Sequence, residues 1–221
     1  MRIDDNSFYL RYFNNAKRGE SADLVYYKKV WEDGYTIDEY NIDENGISYE
    51  DADWSGVNTD DSRAGTRILR RHYDRWVKTI EEARTKIEKL VTSHNTLFNR
   101  KIMIGDCLYI PWKKILEEED TAEREELGDN YEEDEDKYEG PNFRILYVTG
   151  INQSEIEGYS IIIDRYDSWY SSYPRTYNLD YLDRAIVIPK EVYEEAKTIL
   201  KTIAATLLSE MKQKVRTIEI K

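Results

Sequence analysis

Glycine spacing in this 221-residue chain does not support a nucleotide-binding loop. The two closest of the ten glycines, Gly150 and Gly158, are eight positions apart. Phosphate loops and dinucleotide-binding fingerprints need glycines about two to five residues apart, because the backbone must approach the phosphate closely. The sequence therefore predicts neither kind of site.

The histidines and the single cysteine offer little catalytic or metal-binding chemistry. His72 and His94 lie 22 positions apart in one helical pattern, or about 33 Å along a helix axis, so they cannot share a centre within one chain. His94 falls on the apolar side of that pattern, where we expect a packed core histidine. Cys107 lies in a strand pattern and is expected to be a buried thiol, compatible with a reducing compartment. We predict no cofactor, no resident metal and no enzymatic activity.

Two segments approach the pattern of a calcium-binding loop. The first has Asn41, Asp43 and Asn45 followed by Gly46, but its twelfth position is an alanine that cannot be a ligand. For this segment we favour a β-hairpin, since Asn-Gly between alternating apolar residues is a strong hairpin signal. The second, residues 51–62, also lacks the final glutamate. Here we favour a turn that caps a helix, with a hard cation as the alternative.

Two clusters are candidate interaction surfaces. Tyrosine, tryptophan and arginine are enriched at protein interfaces, and aromatic rings beside arginine can also stack single-stranded bases. For the aromatic cluster we favour a protein interface over ordinary loop packing, and both over nucleic acid. For the basic cluster we favour neutralisation within the protein or between subunits over nucleic acid. The aromatic cluster comprises Tyr166, Trp169, Tyr170, Tyr173, Arg175 and Tyr177. The basic cluster comprises Arg63, Arg67, Arg70, Arg71 and Arg75.

Charge is concentrated in two acidic segments. The net charge of −13 includes −12 from residues 117–139, with 14 acids and two bases, and −11 from residues 32–61, with 11 acids and no base. We expect 117–139 to be a solvated loop within an elaborated hairpin. The alternatives are a phosphate-like surface that competes with nucleic acid for a basic partner, and an acidic loop that docks on a neighbouring subunit.

The longest regular pattern predicts a helix over about residues 62 to 98. Its apolar residues repeat with heptad spacing, which is typical of a helix that packs along one seam. Such a helix would be about 55 Å long and would need another long element beside it. The seam comprises Leu69, Tyr73, Trp76, Ile80, Ala83, Ile87, Leu90, His94 and Leu97.

The remaining patterns complete the expected fold. Pro189 begins a second helix with a broad apolar stripe, and residues 215–221 alternate like a terminal strand. We therefore predict an α+β fold, in which a long antiparallel helical pair carries an inserted small antiparallel β-sheet or barrel and an N-terminal β-hairpin region. The predicted organisation is a β-rich acidic segment over 1–61, the long helix over 62–101, a barrel-like module over 102–188 and the C-terminal helix with its strand over 189–221.

These features favour a non-enzymatic structural or assembly protein that acts as an oligomer. The specific expectation is a virion component such as a phage head–tail connector or ring protein. A composition rich in Lys, Asn, Ile, Tyr and acids is associated with AT-rich genomes, which phages often have. Its partners would be further copies and other assembly subunits, not nucleic acid. No apolar run of 18 residues occurs, so no membrane partner is expected.

Three alternatives remain open. One is an acidic nucleic-acid mimic that inhibits a host DNA- or RNA-binding enzyme, with a cytoplasmic location. Another is a single-stranded nucleic-acid-binding module. The third is an enzyme of unfamiliar type.

Overall fold

A computed structural model describes residues 3–16, 18–56, 65–94, 101–127, 141–164, 166–182 and 184–219. These residues contain eleven antiparallel β-strands and three α-helices. The predicted fold, a long helical pair with a small inserted sheet, is therefore wrong, because sheet dominates the protein and the helices cover it.

The chain forms two compact units, and a boundary between them falls inside each of the helices α1 and α3. The first unit comprises Met1–Ala83 with Ile199–Lys221, and the second comprises Arg84–Thr198. The elements are β1 Ser7–Asn15, β2 Gly19–Trp31, β3 Gly34–Asp43, β4 Gly46–Ser55, β5 Thr66–Ile68, α1 Arg70–Ser93, β6 Cys107–Ile110, α2 Trp112–Leu127, β7 Phe143–Ile151, β8 Glu155–Ile163, β9 Ser168–Tyr170, β10 Arg175–Asn178, a 3-10 helix Leu179–Leu182, β11 Ile186–Ile188 and α3 Lys190–Glu219.

Consecutive hairpins build the sheet of the first unit. Its strands lie in the order β5-β1-β2-β3-β4. The hairpin predicted at Asn45-Gly46 is confirmed, since Asp43 pairs with Gly46 across a two-residue turn. The Asp43 carboxylate accepts the backbone N–H groups of Asn45 at 2.7 Å and Gly46 at 3.1 Å, which fixes the turn.

Alternation along these strands gives the first unit two faces. One face carries the main core, in which side chains such as Leu24 and Ile42 pack with residues of both α1 and α3. Aromatic rings join helix to sheet, because the Phe8 ring lies 4.6 Å from that of Tyr26 and 5.0 Å from that of Tyr73 on α1. The helix residues buried in this core are Tyr73, Trp76, Ile80, Ala204, Leu207, Leu208 and Met211.

Helix α1 is shorter than the pattern predicts. It begins at Arg70, because Gly65 takes a positive φ of 94° and residues 66–68 then pair with β1. Leu69, the first residue of the predicted seam, is consequently outside the helix and 56% exposed, and His94 is also exposed, so its predicted core position is wrong. Leu97 lies outside the described residues.

The second unit has helices on both sides of its sheet. Its strands lie in the order β11-β6-β7-β8-β9, and β10 also pairs with β8. Ile115 of α2 and Leu182 of the 3-10 helix pack on the face that carries Leu108 and Leu146. The start of α3 lies against the other face, where the Tyr193 ring is 5.9 Å from that of Tyr147.

Two further local predictions are wrong. Residues 117–127 of the expected acidic loop belong to α2, in which the Thr121 hydroxyl donates to the Glu117 carbonyl. Residues 128–139 of that segment lie outside the described residues. Helix α3 continues to Glu219, where a terminal strand was expected. Both stretches are rich in Glu, Lys, Arg and Gln, whose high helix propensity outweighs the local charge or alternation.

Candidate protein-interaction surfaces

An interruption between β9 and β10 presents part of the aromatic cluster at the surface. Both strands pair with the same edge of β8, Tyr170 opposite Ile161 and Arg175 opposite Gly158. Four residues, 171–174, therefore stand opposite two, so the chain bulges outward between the strands. Pro174 lies at this bulge, where its missing N–H breaks no ladder hydrogen bond.

Arg175 joins two aromatic rings beside this bulge. Its guanidinium carbon lies 4.5 Å from the centroid of the Trp169 ring and 5.6 Å from that of Tyr173. Both distances are within the range of cation–π attraction. Tyr173 is 60% exposed, and the buried Arg175 Nε has no hydrogen-bond partner within the described part of the chain. We call these three residues the aromatic stack.

The turn before β9 fixes the position of Trp169. The Asp164 carboxylate accepts the backbone N–H groups of Tyr166 at 2.9 Å and Asp167 at 2.6 Å. Arg144 forms a salt bridge of 3.2 Å with Asp164. Burial, followed by the Asp164 charge, raises the pKa of Asp167, while a hydrogen bond from the Trp169 indole lowers it. The stack therefore rests on a turn held by side-chain hydrogen bonds and charge.

Arg84 holds the same turn from α1. It is 3% exposed, its Nε donates to the Ser168 hydroxyl at 2.6 Å, and its guanidinium also donates to the Tyr166 carbonyl at 3.3 Å. This arginine was not among the predicted site residues, because an isolated arginine in an amphipathic helix usually faces solvent. Its position on the flank of the apolar seam, next to Ala83, was the available signal.

The other members of the aromatic cluster are not part of the stack. Tyr170 is buried, with the Lys197 ammonium 5.1 Å from its ring centroid. Tyr177 packs against the core of the second unit. Tyr166 is exposed, and its backbone carbonyl is the group that binds Arg84. Three of the six predicted residues therefore come together.

The basic cluster lies in the first unit and is partly neutralised. Arg67 pairs with Asp4 at 3.3 Å, and Arg70 pairs with Asp74 at 3.4 Å. Arg75 pairs with Glu210 of α3, whose carboxylate also accepts the Trp76 indole N–H at 2.8 Å. Arg63 lies outside the described residues.

Arg71 near the start of α1, and Lys214 and Arg216 near the end of α3, form no salt bridge with a described residue. Lys214 Nζ lies 3.0 Å from His72 Nε2, which places the end of α3 beside the start of α1. Neither α3 cation was predicted as part of an interaction site, although basic residues near a helix C-terminus are a common pattern.

Two pKa shifts show that this region is electrostatically positive. Burial lowers the pKa of His72, and the charges of Lys214, Arg71 and Arg75 lower it further. A hydrogen bond from Lys212 is the largest cause of the lowered pKa of Glu20. Both shifts favour the less positive form of the group.

Carboxylates of the other acidic segment are engaged within the sheet of the first unit. Lys28 bridges Asp38 at 2.9 Å and Asp51 at 3.1 Å. Asp53 accepts a hydrogen bond from the Thr36 hydroxyl. The two first carboxylates of the candidate cation segment 51–62 therefore lie on strand β4, and residues 57–62 are not among the described ones.

A half-buried ionic group on the same sheet was not predicted from the sequence. Arg11 contacts Asp23 at 2.9 Å and Glu39 at 2.6 Å, which ties β1, β2 and β3 together. Burial raises the pKa of both carboxyl groups, although the Arg11 charge opposes this effect. With so many acids in the chain, no sequence signal separated these two from the rest.

The described residues contain no group of three or more His, Cys, Asp or Glu side chains placed to hold a metal ion. Cys107 is buried, as predicted, and burial raises the pKa of its thiol to about 12, which disfavours the nucleophilic thiolate. No helix in the described ranges has the length and hydropathy to cross a membrane.

The chain was also compared with known proteins. No protein family, curated protein or solved structure matches it.

Proposed function

We propose that this protein is a non-enzymatic assembly subunit that acts as an oligomer, and that its specific setting is a virus particle, as a head–tail connector or ring protein. The observation that carries the proposal is the aromatic stack. Tyr173 presents an exposed ring on a support of Arg175 and Trp169. Exposed rings on a rigid base are typical of the few residues that dominate binding at protein interfaces.

Rigidity distinguishes this arrangement from an ordinary surface aromatic. The Tyr173 ring and the Arg175 guanidinium already lie in contact. A partner that covers Tyr173 would therefore have to immobilise few additional side chains. The exposed Arg75–Glu210 salt bridge belongs to the first unit, whereas the stack belongs to the second.

The test is the mass in solution, measured by light scattering after size-exclusion chromatography at several protein concentrations. We expect a multiple of the monomer mass, and a Tyr173→Ala variant with at least a tenfold weaker association, since hot-spot truncation costs about 2 kcal/mol or more. Tyr166→Ala is the matched control, because Tyr166 is also exposed but lies outside the stack. A monomer at every concentration would contradict the assembly function.

One observation favours a second function, an acidic mimic that inhibits a nucleic-acid-binding enzyme. The register of β3 and β4 places Asp38 opposite Asp51 and Glu39 opposite Glu50. Like charges directly opposite destabilise a sheet unless a cation balances them. Glu50 is exposed and could meet a basic partner.

Charge reversal separates the two functions. If the protein is a mimic, Glu50→Lys should abolish inhibition of a DNA- or RNA-binding enzyme while the mass in solution stays unchanged. If it is an assembly subunit, no such inhibition exists to be lost.

A further inference from the structure

The guanidinium of Arg175 lacks a counterion among the described residues. Its side chain forms no salt bridge with any of them, and its buried Nε has no hydrogen-bond partner there. The rings of Trp169 and Tyr173 attract the charge, but a ring face does not replace a hydrogen-bond acceptor. By contrast, Arg84 and Arg144 of the same unit both have polar partners. A buried donor without a partner costs stability, and an acceptor supplied by another molecule would recover that loss.

The described carboxylates on the neighbouring strand and turn are directed elsewhere. On β8, Gly158 stands directly opposite Arg175 and has no side chain. Glu157, the next residue along β8, lies on the other face of the sheet, because side chains alternate along a strand. Asp164 and Asp167 are engaged within the turn before β9. Arg175 is only partly buried, so a group from outside can reach its guanidinium.

The bulge before Arg175 is fixed by a pair of buried serines. The backbone N–H of Ser171 donates to the Ser160 carbonyl at 2.8 Å, and the Ser171 hydroxyl accepts the Ser160 backbone N–H, also at 2.8 Å. Both serines are almost fully buried. The aromatic stack is therefore held in place before a partner arrives, which lowers the entropy cost of binding.

We propose that Arg175 binds an aspartate or glutamate side chain of a partner protein. This inference rests on the proposed role of the aromatic stack as an interface, and it names the chemistry of the partner. A guanidinium can donate two parallel hydrogen bonds to one carboxylate, which gives geometric specificity as well as affinity. Phosphate accepts the same pair of bonds, but the net charge of −13 disfavours the approach of a nucleic-acid backbone. A peptide that carries a single carboxylate meets far less repulsion.

A peptide titration followed by NMR of the arginine side chains tests this contact in the full chain. The probe is a short blocked peptide with one glutamate between two leucines, and the matched control peptide has glutamine in its place. The Nε–H signal of Arg175, assigned by triple-resonance spectra, should shift with the glutamate peptide and stay unchanged with the glutamine peptide. Inorganic phosphate and a short oligothymidine are titrated in the same way.

Two variants separate this contact from a general effect of charge. Arg175→Lys keeps a cation beside both rings but loses the planar fork, so it should bind the glutamate peptide about tenfold more weakly. Arg184→Gln is the matched control, because Arg184 belongs to the same unit but already pairs with Glu118. It should bind the peptide as the wild type does. If a melting scan shows a variant to be unfolded, the comparison of the two peptides on the wild type still decides the question.

The outcomes separate this inference from the assembly function. An unchanged Arg175 signal, equal binding of the two peptides, or equal binding by Arg175→Lys and the wild type would overturn the inference. So would an equal loss of binding in Arg184→Gln, or tighter binding of phosphate or oligothymidine than of the glutamate peptide. An oligomeric wild type would still leave the assembly function standing in each of these cases. A wild type that is monomeric but whose Arg175 signal shifts with the glutamate peptide would overturn the assembly function and support the inference.

Discussion

Truncation of Ile80 on α1 tests how the helix contributes to the first unit. Ile80 has no exposed surface and packs in the main core. An Ile80→Ala change removes three carbon groups, each worth about 0.8 kcal/mol of burial, or about 2.4 kcal/mol together. The cavity adds a further cost, because a packed core closes only partly around it. We expect the free energy of unfolding to fall by about 3 kcal/mol, a large share of the roughly 5–15 kcal/mol typical of a domain.

The assay is urea unfolding followed by circular dichroism, with Leu69→Ala as the matched control. Leu69 belongs to the same apolar seam in the sequence but is 56% exposed, so its truncation should change stability by less than about 0.5 kcal/mol. The midpoint for Ile80→Ala should fall while the slope of the transition stays constant. Equal midpoints for the two variants would refute the reasoning, because the seam would then not be the buried side of α1.

Three further changes test other parts of the structure. Gly158→Ala should lower the melting temperature, because the new Cβ would lie 2.2 Å from the Tyr147 carbonyl oxygen. In the control variant Gly150→Ala, the new Cβ first meets a flexible glutamate side chain, so this variant should be tolerated. Equal melting temperatures for the two variants would contradict this prediction. The lowered pKa of His72 keeps it neutral in the folded state, while the unfolded chain takes up a proton below about pH 6.5. Stability should therefore fall as pH decreases through 6.5, and His72→Gln should flatten that part of the melting profile; parallel profiles would show that His72 does not contribute. Arg84→Met removes the hydrogen bonds to the buried Ser168 hydroxyl and to the Tyr166 carbonyl, and should cost about 3 kcal/mol. Hydrogen exchange in the turn before β9 should become faster, and unchanged exchange there would refute the assigned role.

Local chemistry in the sequence predicted the features that depend on neighbouring residues alone. The Asn45-Gly46 hairpin is the clearest case, since the turn is fixed by Asp43 within three residues. Burial of Tyr73, Trp76, Ile80, Ala83 and Ile87 was also predictable, because the spacing of apolar residues identifies the buried side of a helix.

The spacing of apolar residues along a helix does not specify which element the helix packs against. A helix that packs on a sheet and a helix that packs on another helix show the same apolar repeat, so the spacing did not reveal that α1 covers a sheet. Residues 66–68 illustrate a second limit, because only pairing with β1 makes this short stretch a strand and delays the start of α1. Such a pairing joins positions far apart in sequence.

The candidate surfaces were predictable by composition but not by geometry. Tyrosine, tryptophan and arginine in 166–177 indicated an interface, yet the bulge between β9 and β10 decides that Trp169, Tyr173 and Arg175 meet. Of the unpaired cations near the ends of α1 and α3, Arg71 was predicted as a site residue, whereas Lys214 and Arg216 come from the other end of the chain.

The core of the first unit has a consequence for synthesis of the chain. Its strands β1 to β4 are complete at Ser55, but four of its core residues lie between Ala204 and Met211 on α3. At roughly 5–20 residues per second, a ribosome needs about 8–30 s to bridge that interval. During this time α3 does not yet cover the apolar side of the sheet. To stay soluble, nascent chains would need chaperones or would have to aggregate only slowly. Protease sensitivity of ribosome-bound chains should persist until α3 emerges, and premature termination before α3 should yield an insoluble product rather than a smaller folded one.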